Sequence, residues 1–200
     1  TFVHEIEIGD IDGDGVVEFF ATPSDRNSAS HSQHGEVVMY RFVDGAYERV
    51  VVESGAGTHA KEILAADIDV DGTTEFFAVF EAVVVDGTIT TPVEVRQYRL
   101  NADGGFDAST VATIDDRQTR FLVAADFDND GQKELVAAAM KTGLYFIDRE
   151  ESGEWSSAQF ESNSSGFEHA CSVADMNGDG SVELYVAADD QKQLNVYEWR

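Results

Sequence analysis

The sequence predicts an all-β fold, a β-propeller of four-stranded blades with four blades in this chain. Three observations predict it. One segment recurs four times, runs of strand length and β composition separate the copies, and no stretch holds helical periodicity over a useful length. The copies read GDIDGDGVVEFFA from Gly9, ADIDVDGTTEFFA from Ala66, ADFDNDGQKELVA from Ala125 and ADMNGDGSVELYV from Ala174. Their first aspartates, Asp10, Asp67, Asp126 and Asp175, stand 57, 59 and 49 residues apart. A unit of about 40–60 residues is the size of one propeller blade of four short strands.

The elements follow in order. The first unit predicts strands at Phe2–Gly9, Val17–Thr22, Glu36–Phe42 and Tyr47–Glu53, broken by Asp-Gly, by Pro23 with a Ser-rich stretch, and by Asp44-Gly45. The second predicts Lys61–Ala66, Glu75–Val85, Val93–Leu100 and Ser109–Ile114, and the third Arg120–Ala125, Glu134–Met140, Leu144–Asp148 and about Ser157–Glu161. The fourth offers only three strands, His169–Ala174, Val182–Ala188 and Leu194–Trp199, so its outer strand is missing. The blades divide the single domain 1–200 at about 1–55, 56–115, 116–165 and 166–200. An incomplete last blade leaves an open strand edge, a joining surface for a further strand, further blades or another chain. A closed four-blade ring is the alternative.

Charge narrows the function. Against 13 Lys and Arg stand 39 Asp and Glu, a net charge of −26. That sign argues against nucleic acid and anionic membrane surfaces as partners. With 42% hydrophobic residues and 13 Phe the chain is not a disordered acidic tail. No apolar run approaches the roughly 18–20 residues that span a bilayer. The chain opens at Thr1 with neither an initiator Met nor a signal peptide, which predicts processing or membership of something longer. Cys171 is the one cysteine; it has no partner for an intrachain disulfide and reads as a small core residue.

The acids concentrate in the repeats, where each loop reads D-x-[DN]-x-D-G-x-x-E. The oxygen-bearing side chains are Asp10, Asp12, Asp14 and Glu18; Asp67, Asp69, Asp71 and Glu75; Asp126, Asp128, Asp130 and Glu134; Asp175, Asn177, Asp179 and Glu183. Alternate side chains of a tightly curled loop point inward together, and the Gly after the third acid permits the turn. Val16, Thr73, Gln132 and Ser181 stand where a backbone carbonyl would complete the set. An all-oxygen set suits Ca²⁺, with about 6–8 ligands at ~2.3–2.6 Å. Zinc and copper favour His or Cys, which these loops lack. Without a cation, three or four like charges in one loop repel one another. Up to four Ca²⁺ are expected. An EF-hand begins alike but needs Glu at the twelfth loop position, which here holds Ala21, Ala78, Ala137 and Val186.

At these residues the chain resembles the FG-GAP/VCBS family, the integrin-α-like propeller repeats, over nearly its whole length. The resemblance implies a propeller with Ca²⁺ in the loop between the first and second strands of each blade. It departs in carrying Glu at the ninth loop position, where the family more often has Asp, and Asn177 in place of Asp, which predicts the fourth site to be the weakest. The resemblance also implies an extracellular, secreted or periplasmic setting and covers adhesion proteins, lectins, binding domains and some polysaccharide-degrading enzymes, so the fold leaves the function open.

Six residues before each first aspartate stands a base: His4, Lys61, Arg120 and His169. If the first strands line the propeller axis, these four gather at the face opposite the calcium loops as a site for an anion, such as a uronate, a sialate or a carboxylate side chain. His59, Gln118, Phe167 and Glu168 stand near them in sequence. The plainer alternative pairs each base with acids such as Glu5 and Glu62. The segment Ser24–Gly35, with His31 and His34, is a long connection that reads as solvated loop. Asn163-Ser164-Ser165 is a glycosylation sequon, meaningful only in a eukaryotic secretory setting. No Gly-x-Ser-x-Gly elbow or phosphate-cradling loop is present. The expectation is a non-catalytic binding or structural module for a glycan or protein ligand. A polysaccharide lyase on the same fold, or a subunit of a larger extracellular assembly, are the alternatives.

Overall fold

The computed structural model describes residues 2–25, 32–55, 57–167 and 169–199. His31 and Glu168, named above, lie outside the described residues, as does the rest of 26–31. Every regular element among the described residues is a strand. The first sheet runs β1 (Phe2–Gly9), β2 (Glu18–Ser24), β3 (Gly35–Val43) and β4 (Ala46–Gly55), side by side in that order. The second holds β5 (Ala60–Ala66), β6 (Glu75–Phe80), β9 (Val93–Leu100) and β10 (Phe106–Ile114). Between β6 and β9 a hairpin of β7 (Val83–Val85) and β8 (Thr88–Thr91) stands apart as its own two-stranded sheet. The third is β11 (Thr119–Ala125), β12 (Glu134–Ala139), β13 (Leu144–Arg149) and β14 (Trp155–Glu161); the fourth is β15 (Ala170–Ala174), β16 (Glu183–Ala188) and β17 (Gln193–Tyr197). All pairings are antiparallel.

Three sheets of four strands and one of three are what the repeat predicts. The predicted strand Glu75–Val85 is a correction: it stops at Phe80, and Glu81-Ala82 separates it from β7. The hairpin turns on Asp86-Gly87, both with positive φ (49° and 79°), as the tightest β-turns require. The strand expected at Ser109–Ile114 begins earlier, at Phe106, and His169 falls just before β15.

One packing rule joins the sheets. In each second strand, the residue after the Glu faces back to the preceding sheet and the next residue faces forward. Phe20 meets Phe76, their rings stacked at 4.0 Å; Phe77 shares a core cluster with Leu135, and Val136 shares one with Leu184. Three apolar clusters thus fill three gaps, one between each adjacent pair of sheets. Because β6 and β12 are covered on both faces, all six residues of each are buried, which is why they read as unbroken apolar runs rather than alternating ones. Truncating Phe76 to Ala at such a site costs about 3–5 kcal/mol.

The first strands line up side by side: β1 packs on β5, β5 on β11, and β11 on β15. Among the described residues no contact of similar extent returns from β15 to β1, so the sheets form an open row rather than a closed ring. The outer faces of the row are apolar and uncovered, with Ile6 and Ile8 on β1 and Leu194 and Val196 on β17 all exposed.

Candidate metal centres

The four acidic loops join the first strand of each sheet to the second, and they share one construction. The first aspartate folds back over its own loop: Asp10 accepts from the amides of Asp14 (3.1 Å) and Gly15 (2.9 Å), Asp67 from Asp71 (3.1 Å) and Gly72 (3.0 Å), Asp126 from Gly131 (3.1 Å), and Asp175 from Gly178 (2.7 Å) and Gly180 (3.0 Å). The third acid accepts from the amide two residues on, Val16, Thr73, Gln132 or Ser181, at 2.7–2.9 Å. The fourth and sixth loop positions take positive φ in every copy. The fourth is Gly13, Val70, Asn129 or Gly178. Val70, a β-branched residue at φ 55°, is strained there.

The closing glutamate is a latch. Glu18, Glu75, Glu134 and Glu183 are buried, and one carboxylate oxygen of each accepts from the backbone amide just after the first aspartate: Ile11 (3.1 Å), Ile68 (2.8 Å), Phe127 (2.8 Å) and Met176 (3.0 Å). Sequence spacing placed this residue among the metal ligands, and its hydrogen bond adds a role that ties loop to strand. Burial raises the pKa of Glu18 and Glu75, and pushes Glu134 up to about 7 with help from Asp128 and Asp130. Loss of hydration is the larger cause in each, and the neighbouring aspartates add to it.

The donors fit a hard divalent ion. In the third loop, oxygens of Asp126, Asp128, Asp130 and Glu134 lie within 4.8 Å of one another; so do those of Asp10, Asp12 and Glu18, of Asp67, Asp69 and Asp71, and of Asp175, Asp179 and Glu183. Asp126 Oδ1 and Asp69 Oδ1 are buried with no hydrogen-bond partner among the described residues. A buried carboxylate oxygen without a donor is costly unless a cation takes it. The copies are not equivalent. In the second loop, Arg149 from β13 pairs with Asp69 at 2.7 Å, and Arg99 stands 3.7 Å from Glu75. In the fourth, the Asn177 amide donates to the second oxygen of Glu183 at 2.6 Å.

At the opposite ends of the first strands, six residues or roughly 20 Å away, the structure gathers three of the four bases. Lys61 Nζ lies 3.3 Å from His4 Nδ1, and His4 Nε2 lies 3.0 Å from Ser24 Oγ. The His4 ring stacks on His59 at 4.8 Å, and His59 lies 3.6 Å from Glu81, which accepts from Gln118 at 3.0 Å. Arg120 lies over the Phe167 ring at 4.5 Å and is near enough to bear on His4, Glu62 and Glu81. His169 is held differently, between Ser164 Oγ (2.7 Å) and the carbonyl of Ala139 (2.9 Å), and is buried. Burial, then Lys61, lowers His4 to about 4; burial, then His4, does the same to His59. Burial, then Glu5, pushes Glu62 up to about 8, and burial raises Glu81.

Sequence reading missed Glu81, which follows an apolar strand with no motif to mark it, and Asp116. That buried carboxylate accepts from the amides of Arg117 (2.5 Å), Gln118 (3.4 Å), Lys141 (2.7 Å) and Thr142 (2.8 Å) and from the Thr142 hydroxyl (3.0 Å), fixing the start of β11 against the end of β12. Of the loop histidines, His34 lies 3.4 Å from the Gly55 carbonyl. Cys171 is buried, and burial pushes its thiol up to about 12, so it is inert core.

Fold and loops together define an all-β protein of repeated antiparallel sheets, each opening on an acidic turn. Residues 126–186, from the third acidic loop to the fourth, match the family of FG-GAP-like repeats. No curated protein matches the chain in sequence. Among solved structures it is similar to a lectin of Agrocybe aegerita, described as specifically recognising non-reducing terminal N-acetylglucosamine, at 15% identity and a TM-score of 0.35 over 93% of this chain. The chain spans 61% of that protein's length. No helix is long and apolar enough to cross a membrane among the described residues.

Proposed function

We propose that the chain is a run of calcium-stabilised β-propeller blades that serves outside the cell as a non-catalytic binding module. The buried oxygen of Asp126 that has no hydrogen-bond partner among the described residues, in a loop whose four carboxylates lie within 4.8 Å of one another, carries this reading. A cation would satisfy such an oxygen, and an all-oxygen cage in a glycine-hinged loop favours Ca²⁺ over softer metals. The open row of first strands and the FG-GAP-like match over 126–186 are both consistent with adjacent propeller blades. Surface loops of this kind suit the high calcium of extracellular fluids. Four bound ions would bring the charge from −26 to about −18.

Calorimetric titration of Ca²⁺ into chelator-stripped protein tests this. The expected result is saturable binding approaching four ions per chain, with weaker binding of Mg²⁺. Melting temperature should rise with calcium by mass action, about 2.7 kcal/mol per site at a hundredfold excess over Kd. Identical melting curves in EGTA and in millimolar Ca²⁺ would defeat it.

A second reading, a subunit of a larger extracellular assembly, is favoured by the uncovered apolar residues Ile6, Ile8, Leu194 and Val196 on the two outer sheets. Light scattering across a concentration series distinguishes the two, since a species that stays monomeric at high concentration removes the second reading.

A further inference from the structure

We infer that Lys61 and Arg120, on the adjacent first strands β5 and β11, form a binding site for the carboxylate of an acidic sugar. The inference rests on the binding-module reading above and names the ligand class. Its first support is backbone geometry. In β5 the pairing passes from Ala60↔Phe80 to Glu62↔Val79, so Lys61 is the extra residue of a β-bulge. In β11 it passes from Thr119↔Ala139 to Phe121↔Ala138, and the extra residue is Arg120. In β1 the pairing skips from Val3↔Pro23 to Ile6↔Ala21, which puts His4 and Glu5 in the same irregularity. A bulge costs ladder hydrogen bonds and re-aims a side chain. Here it recurs at the base-bearing position in three successive sheets.

The second support is charge left uncompensated. Arg41, Arg49, Arg96, Arg99 and Arg149 all pair with carboxylates in this strongly acidic chain. Among the described residues Lys61 and Arg120 form no ion pair. The nearby acids do not cancel them fully, because burial keeps Glu62 protonated up to about pH 8. The third support is unspent hydrogen bonding. Arg120 Nε is buried without a hydrogen-bond partner, and neither ring nitrogen of His59, 3% exposed, makes a hydrogen bond among the described residues, the nearest acid, Glu81, standing 3.6 Å from Nε2.

The chemistry selects the ligand. A guanidinium flattened against Phe167 with its Nε free offers parallel donors that match a planar carboxylate, and Lys61 adds a point charge beside it. Glu81 and Gln118 supply an acceptor and an amide for hydroxyl groups, and the exposed Phe167 ring offers an apolar surface for a sugar face. A simple carboxylic acid shares the charge but uses none of these last groups.

The test is titration, in calcium, of a galacturonate trimer, a neutral galactose trimer, glutarate and polyglutamate. The galacturonate trimer should bind at least about tenfold more tightly than the other three. Arg120→Met and Lys61→Met should each weaken it about tenfold or more, and Arg120→Lys, which keeps the charge but not the fork, should fall between parent and Arg120→Met. Arg41→Met, which removes an exposed cation paired with Glu48 outside this site, should leave it unchanged, separating local recognition from overall charge. Equal binding of the neutral trimer, full affinity in both Met variants, or preference for polyglutamate or glutarate would overturn the inference. So would no binding of any ligand by protein that still shows its calcium-dependent melting. Loss of that melting response in the parent would instead sink the calcium scaffold.

Discussion

At one end of the first strands the four repeats are nearly interchangeable, and at the other they differ in every copy. The loop end repeats the same acids but for Asn177, the same positive-φ positions and the same glutamate latch. The bulge end repeats only a backbone irregularity, in three of the four sheets, and fills it with His4, Lys61 and Arg120. A feature that every sheet needs in order to fold is kept in each copy. A feature that serves one ligand is free to differ. On the proposal above, the contrast separates scaffold from recognition within one chain.

The comparison can be broken most forcefully at Asp116, a scaffold residue on the bulge side. Asp116→Ala strands several backbone amides and should cost about 3 kcal/mol or more, read by denaturant unfolding. A cost below 1 kcal/mol would show that the bulge end tolerates change as a surface does. Next comes Asp126→Ala, which should remove the calcium-dependent stability of one site, about 2–3 kcal/mol at saturating Ca²⁺, and little in EGTA. Asp69 already has Arg149 as a partner, so Asp69→Ala should lose less of the calcium-dependent part. Arg149→Met should tighten calcium binding at the second loop, measured by titration.

A pH series sharpens the contrast. Folding lifts Glu62 from 4.5 to about 8, so the unfolded chain releases this proton first and stability falls as pH climbs between those values. Glu62→Gln should melt higher than the parent at pH 8 and match it at pH 4. His4 and His59 act with the opposite sign: their folded pKa near 4, against 6.5, makes stability fall as pH drops through that window. The smallest effect is expected at Val70, where Val70→Gly relieves a strained φ and should gain about 1 kcal/mol.

The acidic clusters were legible because the oxygen-bearing side chains of each loop lie within nine residues, so their proximity is written along the chain. The Asp69–Arg149 pair was not, since its members are 80 residues apart and meet only through sheet packing. His59 was a neighbour by number alone. Its place against His4 depends on Gly35, where an added Cβ would lie 2.4 Å from the His59 Cβ. The hairpin after β6 escaped notice because its Val83–Val85 prolongs an apolar run, and periodicity alone does not separate one long strand from two. The bulges have no residue signature; the bases mark them only once the register is known.

The coverage of β6 and β12 on both faces has a consequence for how the molecule comes apart. Among the described residues each sheet leans chiefly on its immediate neighbours, so opening should begin at the two outermost sheets and travel inward. Amide hydrogen exchange would record this as a gradient, with the amides of these two strands the last to trade their protons for deuterium.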